Sequence, residues 1–163
     1  MASKGRDKSQ VAGVIAPPPL IYLGFLAVGL TAGRIWPLPF VGAALPTVAR
    51  VGLAVAVALA GVAIGIAGFR QFRRAGTQIR PDRPATALVT EGIYRRTRTP
   101  IYLGLALFYA AIAVGSDSLP ALALLAPTLG VIRYGVIARE EAYLERRFGD
   151  DYRRFKARVR RWL

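Results

Sequence analysis

Lysine and arginine are confined to blocks in this chain, and between the blocks lie apolar stretches long enough to cross a bilayer. Residues 1–10, 70–98 and 133–161 hold almost all of the 23 basic residues. Runs 19–36 ("PLIYLGFLAVGLTAGRIW") and 48–69 ("VARVGLAVAVALAGVAIGIAGF") match the roughly 20 residues needed to span a hydrocarbon core. Runs 101–115 and 119–138 are separated only by "SDS", which predicts a tight helical hairpin. The third run reaches only about 22 Å at a rise of about 1.5 Å per residue, so it is the least secure span. The expected fold is all-α: a polytopic membrane protein of four transmembrane helices, with both termini cytoplasmic and an amphipathic helical tail at 139–163. Residues 1–17 read as a disordered basic tail and 18–163 as a single domain.

The net charge of +14 fits nucleic acid, an anionic membrane or an acidic ligand. Its distribution decides, because every basic block abuts an apolar run instead of forming a soluble basic face. Nucleic acid is therefore set aside, and membrane lipids are the expected partners. The positive-inside rule puts the N-terminus, loop 70–100 and the tail in the cytoplasm, and four spans satisfy all three placements. Connections 37–47 and 116–118 carry no Lys or Arg, as outside loops should. The start "MASKGRDKSQVAGVIAPPP" resembles a signal peptide in charge, but three prolines interrupt its apolar run before the first helix. A bacterial-type inner or plasma membrane is the expected location, with any active site facing the cytoplasm.

The chain has no Cys and no His, which removes thiol nucleophiles, imidazole bases and the common zinc and haem sites. Chemistry must come from carboxylates, tyrosine, arginine, hydroxyls, backbone or a cofactor. In loop 70–100, "ALVTEGIYRR" reads as a short extended segment closed by a glycine turn, and Pro100 starts the next helix. The amides of that first turn, with Arg95, Arg96 and Arg98, form a candidate anion site. On charge alone, binding of lipid phosphates accounts better for these arginines.

Leu144, Phe148, Tyr152, Phe155, Val159 and Trp162 recur at helical spacing, and packing on the membrane surface is the favoured reading of that stripe. Gly149 can end one helix, and Asp150 or Asp151 can cap another. Glu140 and Glu141 stand in a basic surround, pointing about 100° apart, so that one can face a pocket while the other pairs with an arginine. For an isolated Glu-Glu pair, simple charge balance is the commoner explanation. Arg133 is either a functional intramembrane charge or a side chain that snorkels to the surface. Pro127 predicts a kink in the fourth helix.

Together, "LVTEGIYRRTRTPIYLG" and "REEAYLERRFGDDYRRFKARVRRWL" resemble the two signature regions of the isoprenylcysteine carboxyl methyltransferase and phospholipid methyltransferase families. Gly92, Tyr94, Arg95, Arg98, Pro100, Tyr102, Gly104, Glu140, Glu141, Leu144, Phe148, Gly149 and Tyr152 match in order and spacing, and Gly76-Thr77 fits upstream. The resemblance covers about residues 69–163. It implies an integral membrane enzyme that takes S-adenosylmethionine (SAM) from the cytoplasmic side, methylates a lipophilic acceptor and releases S-adenosylhomocysteine. It assigns the cofactor pocket to Tyr94, Arg98, Thr99, Pro100, Tyr102, Gly104, Glu140, Glu141 and Leu144, with Arg98, Thr99 and Glu140 as the catalytic candidates.

Two positions depart from the family pattern. Ile93 replaces a proline, and Thr99 replaces a histidine whose proton a threonine hydroxyl cannot mimic. The acceptor is expected to be one that needs little base assistance, such as a carboxylate like that of isoprenylcysteine; a phospholipid amine would first have to lose a proton. The competing expectation is a non-catalytic scaffold or lipid-binding protein of the same fold.

Overall fold

The computed structural model describes residues 12–38, 44–77 and 84–162. Residues 1–11, part of the 37–47 connection and part of loop 70–100 lie outside that description. Every regular element among the described residues is helical. In chain order they are α1 (Pro18–Ile35), α2 (Thr47–Arg74), a 3-10 turn (Gly92–Arg95), α3 (Pro100–Gly115), α4 (Leu119–Val131), a π segment (Ile132–Ile137), α5 (Ala138–Phe148) and α6 (Asp150–Arg158). Among the described residues three helices are long and apolar enough to cross a membrane: α1, α2 and the continuous Leu119–Phe148 helix formed by α4, the π segment and α5. Helix α3 is apolar but shorter, as its sequence suggested.

The four apolar helices run alternately up and down, so the starts of α1 and α3 meet the ends of α2 and the Leu119–Phe148 helix. Lipid supplies no hydrophobic drive for helix association, so close packing has to do it. Helices α2 and α3 make the most extensive pair, and glycine makes it possible. A Cβ on Gly104 would lie 2.6 Å from the carbonyl oxygen of Gly61 and 3.0 Å from the amide of Gly65. A Cβ on Gly68 would meet the Pro100 ring at 3.1 Å. Helix α1 approaches α4 in the same way, because a Cβ on Gly29 would lie 2.5 Å from Ala121 Cα.

Hydroxyls within the bundle find acceptors locally, as a hydrocarbon surround demands. Tyr109 Oη donates to the Ala121 carbonyl (2.9 Å), Tyr22 Oη to the Tyr102 carbonyl (3.0 Å) and Thr128 Oγ1 to the Leu124 carbonyl (2.6 Å). The "SDS" turn closes α3 with Asp117 in the left-handed region (φ 51°). Ser118 N–H returns to the Ala113 carbonyl (3.0 Å), while Ser118 Oγ accepts from Ala121 N and so caps α4. Asp117 also pairs with Arg50 in the first turn of α2 at 2.7 Å, which neutralises a cation at the end of the bundle remote from the Glu pair.

Several sequence expectations change. The fourth run does not stop near residue 138; it continues to Phe148, so only α6 is a separate tail helix. Gly149 (φ 53°), and neither Asp150 nor Asp151, holds the N-cap of α6. Those aspartates sit in its first turn, where negative charge suits the helix dipole, and pair with Arg153 and Arg154. Pro127 is followed by a π segment in which the Ala138 N–H reaches back to the Arg133 carbonyl. One extra residue in a turn rotates all that follows by about 100° relative to an unbroken helix, which sets the direction of Glu140 and Glu141. Residues 84–91 form neither helix nor strand, and 92–95 wind into a 3-10 turn. Residues 12–17 are not a loose tail. Ile15 N–H approaches the Gly135 carbonyl (3.4 Å) and Arg139 Nη1 donates to the Gly13 carbonyl (2.9 Å). Arg133 is exposed on the outer face of its helix, with its guanidinium over the Tyr134 ring at 5.4 Å, so it is not a charge buried within the bundle.

Forcing α2 and α3 apart tests this packing. Gly104→Val is expected to destabilise the protein by about 1–3 kcal/mol, read as a lower melting temperature in detergent. Gly52→Ala, where a Cβ meets nothing within 4 Å, serves as the control. Equal melting of the two variants would contradict the account.

Candidate functional site

At the end of the bundle where Glu140 and Glu141 lie, the helix ends surround a cavity of about 670 Å³. Four walls can be distinguished. Residues 12–19 form one, and the α2 end with the 85–94 segment (Phe72, Leu88, Tyr94) forms another. The α3 start contributes Arg98, Thr99, Tyr102 and Leu105, and the long helix with α6 contributes Ile137, Glu140, Glu141, Tyr143, Leu144, Tyr152 and Phe155.

The second wall is built from local chain physics. Helix α2 ends in a Schellman motif: Gly76 takes φ 61°, and Thr77 N–H returns to the Phe72 carbonyl (3.2 Å). Thr77 is buried, and its Oγ1 accepts from the amides of Thr86 (3.0 Å) and Ala87 (3.3 Å), which pins the segment that returns to the site. Tyr143 Oη accepts from Ala85 N (2.9 Å), and Arg147 Nε donates to the Ala85 carbonyl. Gly92, at φ 59°, turns the chain where any Cβ would strike Gln71. Tyr94 then packs edge-on against Phe72 with centroids 5.7 Å apart.

The helical stripe of the tail faces inward. Tyr152 and Phe155 are buried with Tyr94, and Leu144, Phe148 and Val159 pack around them. The expected packing on a membrane surface is thus replaced by packing on the loop and cavity. Trp162 packs on the helical core.

The polar groups are unevenly shared. Glu141 is held between two guanidiniums: Arg161 grips it bidentately (Nε–Oε1 3.0 Å, Nη2–Oε2 2.7 Å), and Arg98 Nη1 lies 3.0 Å from Oε1. Glu140 accepts from Tyr102 Oη at 2.6 Å, and among the described residues no donor engages its second oxygen. Arg98 is nine-tenths buried, yet its Nε and Nη1 find no hydrogen-bond partner among the described residues; the ion contact with Glu141 is off hydrogen-bond alignment. No side chain caps the first turn of α3, immediately after Arg98. Burial, then the neighbouring Glu141, pushes the Tyr152 phenol up to about 12, and burial raises Tyr94 further. Both stay neutral hydroxyls near pH 7 and serve as hydrogen-bonding groups, not bases.

Seven of the nine residues assigned by resemblance line this cavity: Tyr94, Arg98, Thr99, Tyr102, Glu140, Glu141 and Leu144. Pro100 and Gly104 lie elsewhere, against Gly68 and against Gly61 and Gly65 on α2. Thr99 reaches the wall, but its hydroxyl donates to the Arg161 carbonyl at 2.6 Å. Arg161, Tyr143 and residues 12–19 were not singled out from sequence. Among five arginines after residue 150 nothing in spacing marks Arg161, and only the proline run "APPP" hinted at a fixed entry to α1. Among the described residues no cluster of His, Cys, Asp and Glu is suited to a metal.

A phospholipid methyltransferase family profile matches residues 49–151, from the start of α2 into α6. An "Uncharacterized protein" of Haemophilus influenzae (strain ATCC 51907 / DSM 11121 / KW20 / Rd) is 67% identical over 33 residues, which is 20% of this chain and 52% of that protein. The chain therefore spans about half the length of this curated relative. No solved structure matches. Since the profile takes in well over half the chain, including α2, α3 and the Leu119–Phe148 helix, the chain belongs to the phospholipid methyltransferase family of membrane methyltransferases.

Proposed function

We propose that the protein transfers a methyl group from SAM to a lipophilic acceptor held in the membrane, with the cavity facing the cytoplasm. The observation that carries this reading is Arg98: a buried cation with two unmet donors at the wall of a largely apolar cavity, with an uncapped helix start beside it. Unmet buried donors are costly, so such a site favours an anionic group. On the other side Glu140 offers an unengaged carboxylate oxygen. A positive and a negative pole across an apolar space suit a zwitterion such as the amino-acid end of SAM, and the volume lies within the ~300–1,000 Å³ usual for small-molecule sites.

In this reading Arg98 and the first turn of α3 take the carboxylate, and Glu140 takes the ammonium or the ribose hydroxyls. Tyr94 and Tyr102 supply electron-rich rings to a cationic ligand. SAM would supply an electrophilic methyl on a sulfonium. The chain's part is then to hold the reactants in line and to exclude water, which can account for most of the catalysis in such a displacement. Tyr102 orients Glu140, and Leu144, Phe155 and Leu88 keep the cavity dry. The site holds no imidazole or thiol, so an acceptor already ionised at pH 7, such as a carboxylate, suits it best; for an amine acceptor, Glu140 is the group placed to receive the proton.

The acceptor's apolar part would lie along residues 14–19, Ile101 and Leu105. Segment 12–19 falls outside the stretch matched by the family profile, so it is a place where acceptor preference can be particular to this chain.

Arg98→Ala is expected to weaken SAM binding in detergent by about tenfold or more, the loss of hydrogen bonds to a charged group. Unchanged affinity in a folded sample would reject the assignment. Ile15→Trp, in the apolar wall, is expected to lower kcat/KM for a lipid acceptor while SAM affinity stays within about twofold. A change confined to SAM affinity would instead place Ile15 on the cofactor side.

A further inference from the structure

We infer that Arg161 is a positioning residue, which through Glu141 sets the orientation of Arg98 at the cavity wall. This rests on the SAM reading of the cavity. Helix α6 ends at Arg158, and Val159 leaves it in extended conformation (φ −121°, ψ 132°), so the chain runs back beside residues 97–99. Three hydrogen bonds clasp the two segments. Arg98 N–H donates to the Arg160 carbonyl (3.0 Å), and the hydroxyls of Thr97 (2.9 Å) and Thr99 (2.6 Å) both donate to the Arg161 carbonyl. A carbonyl oxygen has two lone pairs and can accept both. Thr97 is fully buried, and Trp162 anchors the end of the clasp on the helical core.

This backbone clasp places the Arg161 guanidinium against Glu141, where it occupies both carboxylate oxygens in a planar, two-point grip. Such a grip fixes the rotation of the carboxylate as well as its position. Glu141 Oε1 is also the oxygen that Arg98 Nη1 meets at 3.0 Å. Arg161 itself does not line the cavity, and it is more exposed (24%) than Glu141 and Arg98 (10% each). It acts at one remove: it holds the anion that holds Arg98, leaving the Arg98 donors to the ligand. Without it, Glu141 would be free to draw Arg98 into the two-point pairing that Arg161 now takes, and Arg98 would turn from the cavity.

Thr99 has a new place in this arrangement. Its hydroxyl is committed to the clasp, so its contribution is made through Arg161 instead of through proton transfer. Segment 159–162 lies beyond the stretch that the family profile matches.

The test is S-adenosylhomocysteine affinity of the full chain in detergent, measured on folded protein, with melting temperature recorded alongside. Arg161→Ala is expected to weaken binding by about tenfold or more. Arg161→Lys, which keeps the charge but not the planar fork, should fall between it and the native protein. Arg161→Ala combined with Glu141→Gln should weaken binding by less than the sum of the two single losses, as coupled residues do; an additive loss would count against the coupling. Arg158→Ala, on the exposed face of α6, should bind as the native protein does. A residue with only a structural role would shift melting but leave the affinity of the folded fraction unchanged. Native affinity in Arg161→Ala would overturn the inference; should that variant not fold, native affinity in Arg161→Lys would do so. If folded native protein binds no S-adenosylhomocysteine, the cofactor reading fails and this inference with it, whereas native binding that is unaffected in the Arg161 variants rejects the positioning role alone.

Discussion

A buried carboxylate held between two guanidiniums, Glu141 between Arg98 and Arg161, ties together three elements of the site. The three residues come from the long helix, the start of α3 and the segment after α6. Removing one partner of such a pair leaves a buried charge uncompensated, typically at a cost of about 3–5 kcal/mol, so the contact fixes how these elements meet. The cluster also carries one more cation than anion, and Arg98 is the member with donors to spare. Structure and function therefore draw on the same ion cluster: the contact that closes the bundle leaves an anion-seeking group at the cavity.

The membrane portion explains why this cluster can sit where it does. Glycines at 61, 68 and 104 bring α2 and α3 together, and Gly29 lets α1 meet α4. Close backbone contact of this kind replaces the hydrophobic drive that lipid removes. The π segment after Pro127 then turns the last part of the long helix so that Glu140 and Glu141 both reach the cavity. Glu140 meets Tyr102 and Glu141 meets the arginines, the division of roles that adjacent helical residues about 100° apart permit.

How much was legible in the sequence depended on the range of the signal. Apolar runs, basic blocks and the "SDS" turn marked the helices and the hairpin, because burial in lipid and turn geometry are local constraints. Motif spacing brought Tyr94, Arg98, Tyr102, Glu140, Glu141 and Leu144 to one cavity. Gly104 shared that spacing for a different reason, close approach to α2, and spacing alone cannot separate contact with a ligand from contact with a helix. The tail stripe was legible as an apolar pattern, but not its break at Gly149 or the extended exit at Val159, and not its partner, since loop and bilayer present similarly apolar surfaces. Arg161 and the 97–99 clasp were invisible, because a bond over some sixty residues leaves no period in the sequence.

The account's central claim is that this chain catalyses methyl transfer, beyond holding a methyltransferase fold. The most direct measurement supplies SAM carrying an isotopic label in its methyl group to the purified protein in a total lipid extract, and follows label into the organic-soluble fraction. The account predicts time-dependent, saturable incorporation that is suppressed by S-adenosylhomocysteine and lost in Arg98→Ala. Saturable cofactor binding with no labelled lipid product, from extracts rich in both carboxylate and amine acceptors, would contradict it.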